Sequence, residues 1–161
     1  MHNSLVFISA GAHSGDIAMA RVLAEMRERT PYVRTFGLGG ERLNALGQEQ
    51  LADSREIAVI GFWEVANKFR YFARLMDQCV KEIARRRPTC IVLVDYPGFN
   101  LRLARRVRSL NIPIIYYISP QVWAWGSTRI GEIKELVDRM LVILPFETAF
   151  YQKTGVRAEF V

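Results

Sequence analysis

The residues best suited to chemistry in this chain sit just downstream of short apolar runs. After "IVLV" comes "DYPGFN", so Asp95 is the first residue past an expected buried strand, beside the apolar side chains of Tyr96 and Phe99. A carboxylate fixed in such a place can serve as general base. The alternative for Asp95 and Asn100 is structural, holding the Pro97–Gly98 turn. After "IIYYI" comes "SPQVWAWGSTR", in which Trp123 and Trp125 stand at i and i+2. In an extended segment they point the same way and offer indole faces to a sugar or an acyl chain; otherwise they plug the edge of the core. Arg129 follows one turn on, either as a phosphate partner or as a solvated helix residue. After "SLVFIS" and one alanine comes "GAHSGD", where Gly11 and Gly15 allow close backbone approach and Ser14 or Asp16 can cap the next helix. Free N–H groups there suit a phosphate or a sugar hydroxyl, and a tight capped turn is the plainer alternative. After "MLVIL" comes "PFETAFY", where Glu147 either complements a helix dipole or joins the same polar edge.

Other chemistries find less support. "GAHSGD" fits neither GxGxxG nor GxxxxGK[ST], and in "GLGG" at Gly37–Gly40 the third glycine position of a dinucleotide fingerprint is taken by Arg42. Cys79 and Cys90 form no CxxC and have no histidine cluster, so they read as core thiols rather than metal ligands or a disulfide. Neither a metal nor a cofactor is expected.

These residues need elements to position them. With 161 residues, half of them apolar, the chain suffices for one packed domain, and its net charge of +6 favours an anionic partner. Expected strands are Leu5 to Ser9, Val33 to Leu38, Ala58 to Ile60, Ile91 to Val94, Pro113 to Ile118 and Arg139 to Leu144. Expected helices are Gly15 to Arg29, Glu41 to Leu46, Phe62 to Arg86, Phe99 to Leu110, Thr128 to Val137 and Glu147 to Lys153. This alternation implies an α/β fold, a Rossmann-like three-layer parallel sheet whose strand carboxyl ends form the ligand edge. "SLVFISAGA" reads as the first strand rather than a signal peptide, no apolar run reaches the length of a membrane span, and the closing "VRAEFV" reads as one more strand beginning. The helix from Phe62 carries a core-facing stripe of Phe62, Val65, Ala66, Phe69, Phe72, Met76, Val80 and Ile83. Its basic residues, ending in Arg85 to Arg87, together with Arg102, Arg105, Arg106 and Arg108, suit an anionic membrane surface or a solvated face.

The blocks "SGD", "VDYPGFNLRLA", "YYISPQVWAWGSTRIGEIKELVDRMLVILPFE" and "FY" closely resemble the amino-terminal half of the lipid-A-disaccharide synthase family, glycosyltransferases of the two-Rossmann-domain (GT-B) type. The resemblance runs through essentially all 161 residues. It implies a single acceptor-side domain over residues 1–161, with the carboxyl-terminal nucleotide-sugar domain absent from it. The implied reaction condenses UDP-2,3-diacylglucosamine with 2,3-diacylglucosamine 1-phosphate (lipid X) to a β(1→6)-linked disaccharide and UDP, with inversion. Asp95 matches the family's proposed base. Ser14, Gly15, Asp16, Asn100, Ser119, Gln121, Trp123, Trp125, Arg129 and Glu147 fall on motif positions lining the interdomain cleft. Implied partners are the two acylated sugars, the missing domain and the anionic inner-membrane surface, met from the cytoplasm; a homodimer is compatible with the family and nucleic acid is not. One departure stands out, since the glycine–glutamate pair usual before "SGD" is Gly11–Ala12 here. A divergent, non-catalytic acceptor or lipid-binding module is the alternative.

Overall fold

The structure, a computed structural model, describes residues 4–52, 65–122 and 128–161. The strand expected at Ala58 to Ile60, the start of the helix expected from Phe62, and Trp123 and Trp125 lie outside the described residues.

The elements run β1 (Leu5–Ser9), α1 (His13–Arg29), β2 (Arg34–Leu38), α2 (Glu41–Ala45), β3 (Glu49–Gln50), α3 (Val65–Arg86), β4 (Cys90–Val94) and α4 (Pro97–Val107). A short 3₁₀ turn (Arg108–Leu110) leads to β5 (Ile114–Tyr117), α5 (Thr128–Leu136), β6 (Arg139–Val142), α6 (Pro145–Thr154) and β7 (Ala158–Phe160). The seven strands among the described residues are all parallel, in the order β3-β2-β1-β4-β5-β6-β7. The Rossmann-like α/β architecture expected from the alternating pattern is therefore present, and the terminal "AEF" does form a strand.

Side-chain alternation along the strands divides the core between the two faces of the sheet. Val6, Ile8, Val92 and Val94 pack with Met19, Ala20 and Leu23 of α1 and Leu43 of α2. Phe7, Ile91, Leu93, Ile114 and Tyr116 pack on the other face with α3, α4, α5 and Tyr151 of α6. The chain winds one way from β1 through β2 to β3 and the other way from β4 to β7. The reversal falls between β1 and β4, and the carboxyl edge at such a switch point is where open parallel sheets bind ligands.

Several boundaries differ from the sequence expectation for physical reasons. Pro97 and Pro145 open α4 and α6, because proline's fixed φ and missing N–H suit the first helical turn; Pro97 and Gly98 thus belong to the helix rather than to a turn before it. β3, unsuspected in "EQ", exists because Leu51 N–H reaches the Gly37 carbonyl and Arg86 of α3 grips Glu49 at 2.6 Å. Phe69, expected on the core stripe of α3, is 72% exposed. At ~1.5 Å per residue a helix of 22 residues outruns strands of five, so its amino-terminal turns extend beyond the sheet that would cover them.

Candidate active site at the carboxyl edge

The register aligns the ends of β2, β1, β4 and β5, with Ser9 beside Leu38 and Leu93, and Val94 beside Tyr117. The segments that follow, from Ala10, Asp95 and Ile118, therefore leave the sheet along one edge. Three residues with left-handed backbone lie there: Asp95 (φ 47°), Tyr96 (φ 45°) and Ile118 (φ 62°). None is glycine and Ile118 is β-branched, so each is strained by roughly 1–3 kcal/mol and must be held in place by its surroundings.

The hold on Asp95 is fully accounted for. Its N–H donates to the Tyr117 carbonyl at 3.0 Å. Its own carbonyl accepts the Tyr116 hydroxyl and the Asn100 amide, each at 2.7 Å. The Asn100 amide also donates to the Val94 carbonyl at 3.1 Å, and the Asn100 oxygen accepts the Ser9 hydroxyl at 2.7 Å, so β1, β4, β5 and α4 meet at this point. Burial, and then the negative charge of Asp95, push the Tyr116 hydroxyl well above the ordinary tyrosine range, so it remains a donor at any ordinary pH. The Asp95 side chain itself is only partly buried.

After β1, α1 begins without a side-chain cap. Its N-cap is Ala12, in extended conformation. Ser14 and Asp16, expected as caps for this helix, do not serve as such: His13 already opens the helix, leaving Ser14 exposed in the first turn. Asp16 is buried and instead caps α2, its carboxylate accepting the N–H groups of Gly40, Arg42 and Leu43 at 2.8, 3.1 and 3.2 Å. This explains "GLGG" without a nucleotide. A Cβ on Gly40 would sit 2.6 Å from the Asp16 carboxylate, and one on Gly37 (φ 142°) would sit 2.0 Å from the Ile8 carbonyl. Gly15 brings α1 against β4, within 3.3 Å of Val94 Cγ1 for any added Cβ. Gly11 lies under the Tyr96 ring, so the loops after β1 and β4 touch.

Beside β5 a second buried polar group shapes the loop that leads to the tryptophans. The Ser119 hydroxyl donates to Glu147 at 2.6 Å, the other Glu147 oxygen accepts the Leu144 N–H at 3.1 Å, and the Tyr151 hydroxyl donates to the Pro120 carbonyl at 3.1 Å. Burial pushes the Tyr151 hydroxyl up to about 12. Gln121 and Arg129 are exposed, and Arg129 lies near enough to Tyr116 to act electrostatically on its hydroxyl.

The sequence-derived set thus divides in two. Asp95, Ser14, Gln121 and Arg129 are open to solvent to varying degrees, whereas Gly15, Asp16, Asn100, Ser119 and Glu147 are buried and spend their contacts on the scaffold. Tyr116 was missed because "IIYY" reads only as a buried strand; a hydroxyl on such a strand, which needs a partner, was the available signal. Cys79 is buried in the core, where burial pushes its thiol up to about 12, and Cys90 is partly buried. Among the described residues no group of histidine, cysteine and carboxylate side chains could hold a metal ion.

The family model described as lipid-A-disaccharide synthetase matches residues 6–161. The lipid-A-disaccharide synthase of Myxococcus xanthus (strain DK1622) is 44% identical over 156 residues, covering 97% of this chain and 41% of the relative. That of Syntrophus aciditrophicus (strain SB) is 45% identical over 161 residues, covering 100% of this chain and 42% of the relative. The chain therefore spans about two fifths of the length of these curated relatives. Among solved structures, MurG of Acinetobacter baumannii superimposes with a TM-score of 0.59 at 11% identity, covering 98% of this chain and 44% of that one. The UDP-GlcNAc 2-epimerase of Neisseria meningitidis, bound to UDP-GlcNAc, gives 0.60 at 8% identity, covering 97% and 44%. At such identities the likeness concerns the fold, which is that of the Rossmann-like sheet expected from the sequence.

Proposed function

Because the chain belongs to the lipid-A-disaccharide synthase family, we propose that it forms the acceptor side of a glycosyltransferase of lipid A biosynthesis, with Asp95 as general base. The observation that carries the reading is a partly open carboxylate, held in a strained conformation at the topological switch point of a parallel sheet. In the reaction, Asp95 takes the proton from the 6-hydroxyl of 2,3-diacylglucosamine 1-phosphate as that oxygen attacks the anomeric carbon of UDP-2,3-diacylglucosamine. The bond from that carbon to UDP breaks as the new one forms, with inversion and without a covalent enzyme intermediate. The exposed amino terminus of α1 and Arg129 are suited to the acceptor's hydroxyls and phosphate. Trp123 and Trp125 are assigned to the same cleft by sequence position. The donor's UDP is assigned to the part of the relatives that this chain does not span.

Acylated substrates need apolar surface, and Tyr96, Ile143, Leu144 and Phe146 are exposed large apolar side chains following β4 and β6 at this edge. We assign the acyl chains and peripheral contact with the cytoplasmic face of the inner membrane to that edge. No helix among the described residues is long and apolar enough to cross a membrane. The basic residues at the other end of the molecule fit the membrane role less well. Arg85, Arg86, Arg105, Arg106 and Arg108 are engaged with Glu82, Glu49, Glu132, Asp77 and Asp138.

The test supplies UDP-diacylglucosamine and lipid X to this chain completed with the remainder its relatives possess, and follows UDP release. Transfer should fall about 10²- to 10⁴-fold in Asp95→Asn while lipid X binding is retained; full turnover by that variant removes Asp95 from the base role. A second reading, a non-catalytic acceptor-binding module, draws on Ala12, which leaves the start of α1 without the family's usual carboxylate. Lipid X binding with no UDP release, even after Ala12→Glu, would favour it.

A further inference from the structure

We propose that Tyr116 is a positioning residue for Asp95, its hydroxyl on the Asp95 carbonyl fixing the backbone that sets where the carboxylate stands. The inference rests on the assignment of Asp95 as base. A residue's Cα–Cβ direction is fixed once the peptide units on both sides of it are fixed. For Asp95 both are tied to β5: the N–H to the Tyr117 carbonyl and the carbonyl to the Tyr116 hydroxyl. Without such ties, residues at φ 47° and 45° relax toward the β or right-handed α regions, and the carboxylate moves with them.

A buried tyrosine hydroxyl needs an acceptor, but nothing requires it to choose a carbonyl that Asn100 already satisfies at 2.7 Å. Two donors converge on one oxygen of a strained residue, and that is the over-determination that holds an unfavourable backbone in place. The arrangement also limits the damage on removing the hydroxyl. In Tyr116→Phe the carbonyl keeps Asn100, no buried acceptor is orphaned, and no carbon is lost from the core.

The experiment compares Tyr116→Phe, Asp95→Asn and the double variant in the completed enzyme, with melting curves for each. For Tyr116→Phe, kcat should fall about 10- to 100-fold with KM within about twofold, the cost expected when a reacting group is misplaced by an ångström or less. Because Tyr116 acts through Asp95, the double variant should turn over no more slowly than Asp95→Asn alone. A Tyr116→Phe enzyme within twofold of the parent overturns the proposal, as does a multiplicative loss in the double variant. If the Phe variant melts below the assay temperature, all four enzymes are assayed in the cold with sucrose, under the same criteria. The two ideas fail separately: full activity of Asp95→Asn removes the base and with it the clamp's purpose, whereas an inactive Asp95→Asn beside an unimpaired Tyr116→Phe removes only the clamp.

Discussion

At the scale of single residues, function and scaffold compete for the same side chains. Asp16 was expected at the ligand edge together with Ser14, yet its carboxylate is consumed by three N–H groups of the segment opening α2. Asp16→Ala should therefore lower stability by about 2 kcal/mol, as removal of a buried charged cap does, measured by urea denaturation. Gly40→Ala should cost a similar ~1–3 kcal/mol, because the new Cβ would sit 2.6 Å from the Asp16 carboxylate. In an Asp16→Ala background the Gly40 substitution should become nearly neutral; additive losses would show that the contact does not explain the glycine. Ala12 presents the converse case, a helix start without a side-chain acceptor. Ala12→Ser is expected to stabilise by about 1 kcal/mol and to raise the melting temperature.

Among the elements, α3 and the edge strand β3 depend on one another. Arg86 lies 4.6 Å from the centre of the Phe36 ring and binds Glu49 of β3 and Glu82 one turn back. Arg86 holds the Glu49 carboxyl below the usual carboxylate range, and Arg85 and then Arg86 hold Glu82 down to about 2. Both folded-state values are depressed. The linked stability is thus fully present above the unfolded carboxylate pKa of about 4.3 and is lost as pH falls through the folded values. In urea titrations between pH 2 and 6, the parent should lose stability more steeply below pH ~4.5 than Glu82→Gln does. Parallel curves would show that the network contributes nothing. High salt should narrow the difference, since Arg85 and Glu49 at the rim of the network are exposed to solvent.

For the whole molecule, the sheet separates a carboxyl edge carrying Asp95, Tyr96, Ile143, Leu144 and Phe146 from an opposite end where the helices finish in paired arginines. Binding to anionic vesicles should therefore respond more to Phe146→Ser than to Arg105→Gln, as read by co-sedimentation. The reverse order would place the membrane contact on the basic end. Global stability has its own probe in Cys79, which is buried in the core and whose thiol burial pushes up to about 12. Cys79 should resist alkylation at neutral pH until the whole domain unfolds, and its labelling rate in urea should track the unfolding equilibrium.

What was legible in the sequence was whatever depends on local pattern. The β-branched apolar runs "LVFIS", "CIVLV" and "RMLV" become strands because only a pleated, helix-covered sheet buries both of their faces, and their order places Asp95 at the carboxyl edge. Helix starts at Pro97 and Pro145 and the strand at Glu49–Gln50 were misplaced or missed, since they depend on which groups meet across the fold rather than on spacing. The tertiary structure alone decided that Asp16 caps α2, that Asn100 and Ser119 face inward, and that Tyr116 joins the site. The physical reason is common to all four: a polar group becomes scaffold when burial removes water and a partner from a distant part of the chain replaces it. The partners lie 24 residues from Asp16 at Gly40, 91 from Asn100 at Ser9, 28 from Ser119 at Glu147 and 21 from Tyr116 at Asp95, distances that only the folded sheet brings together.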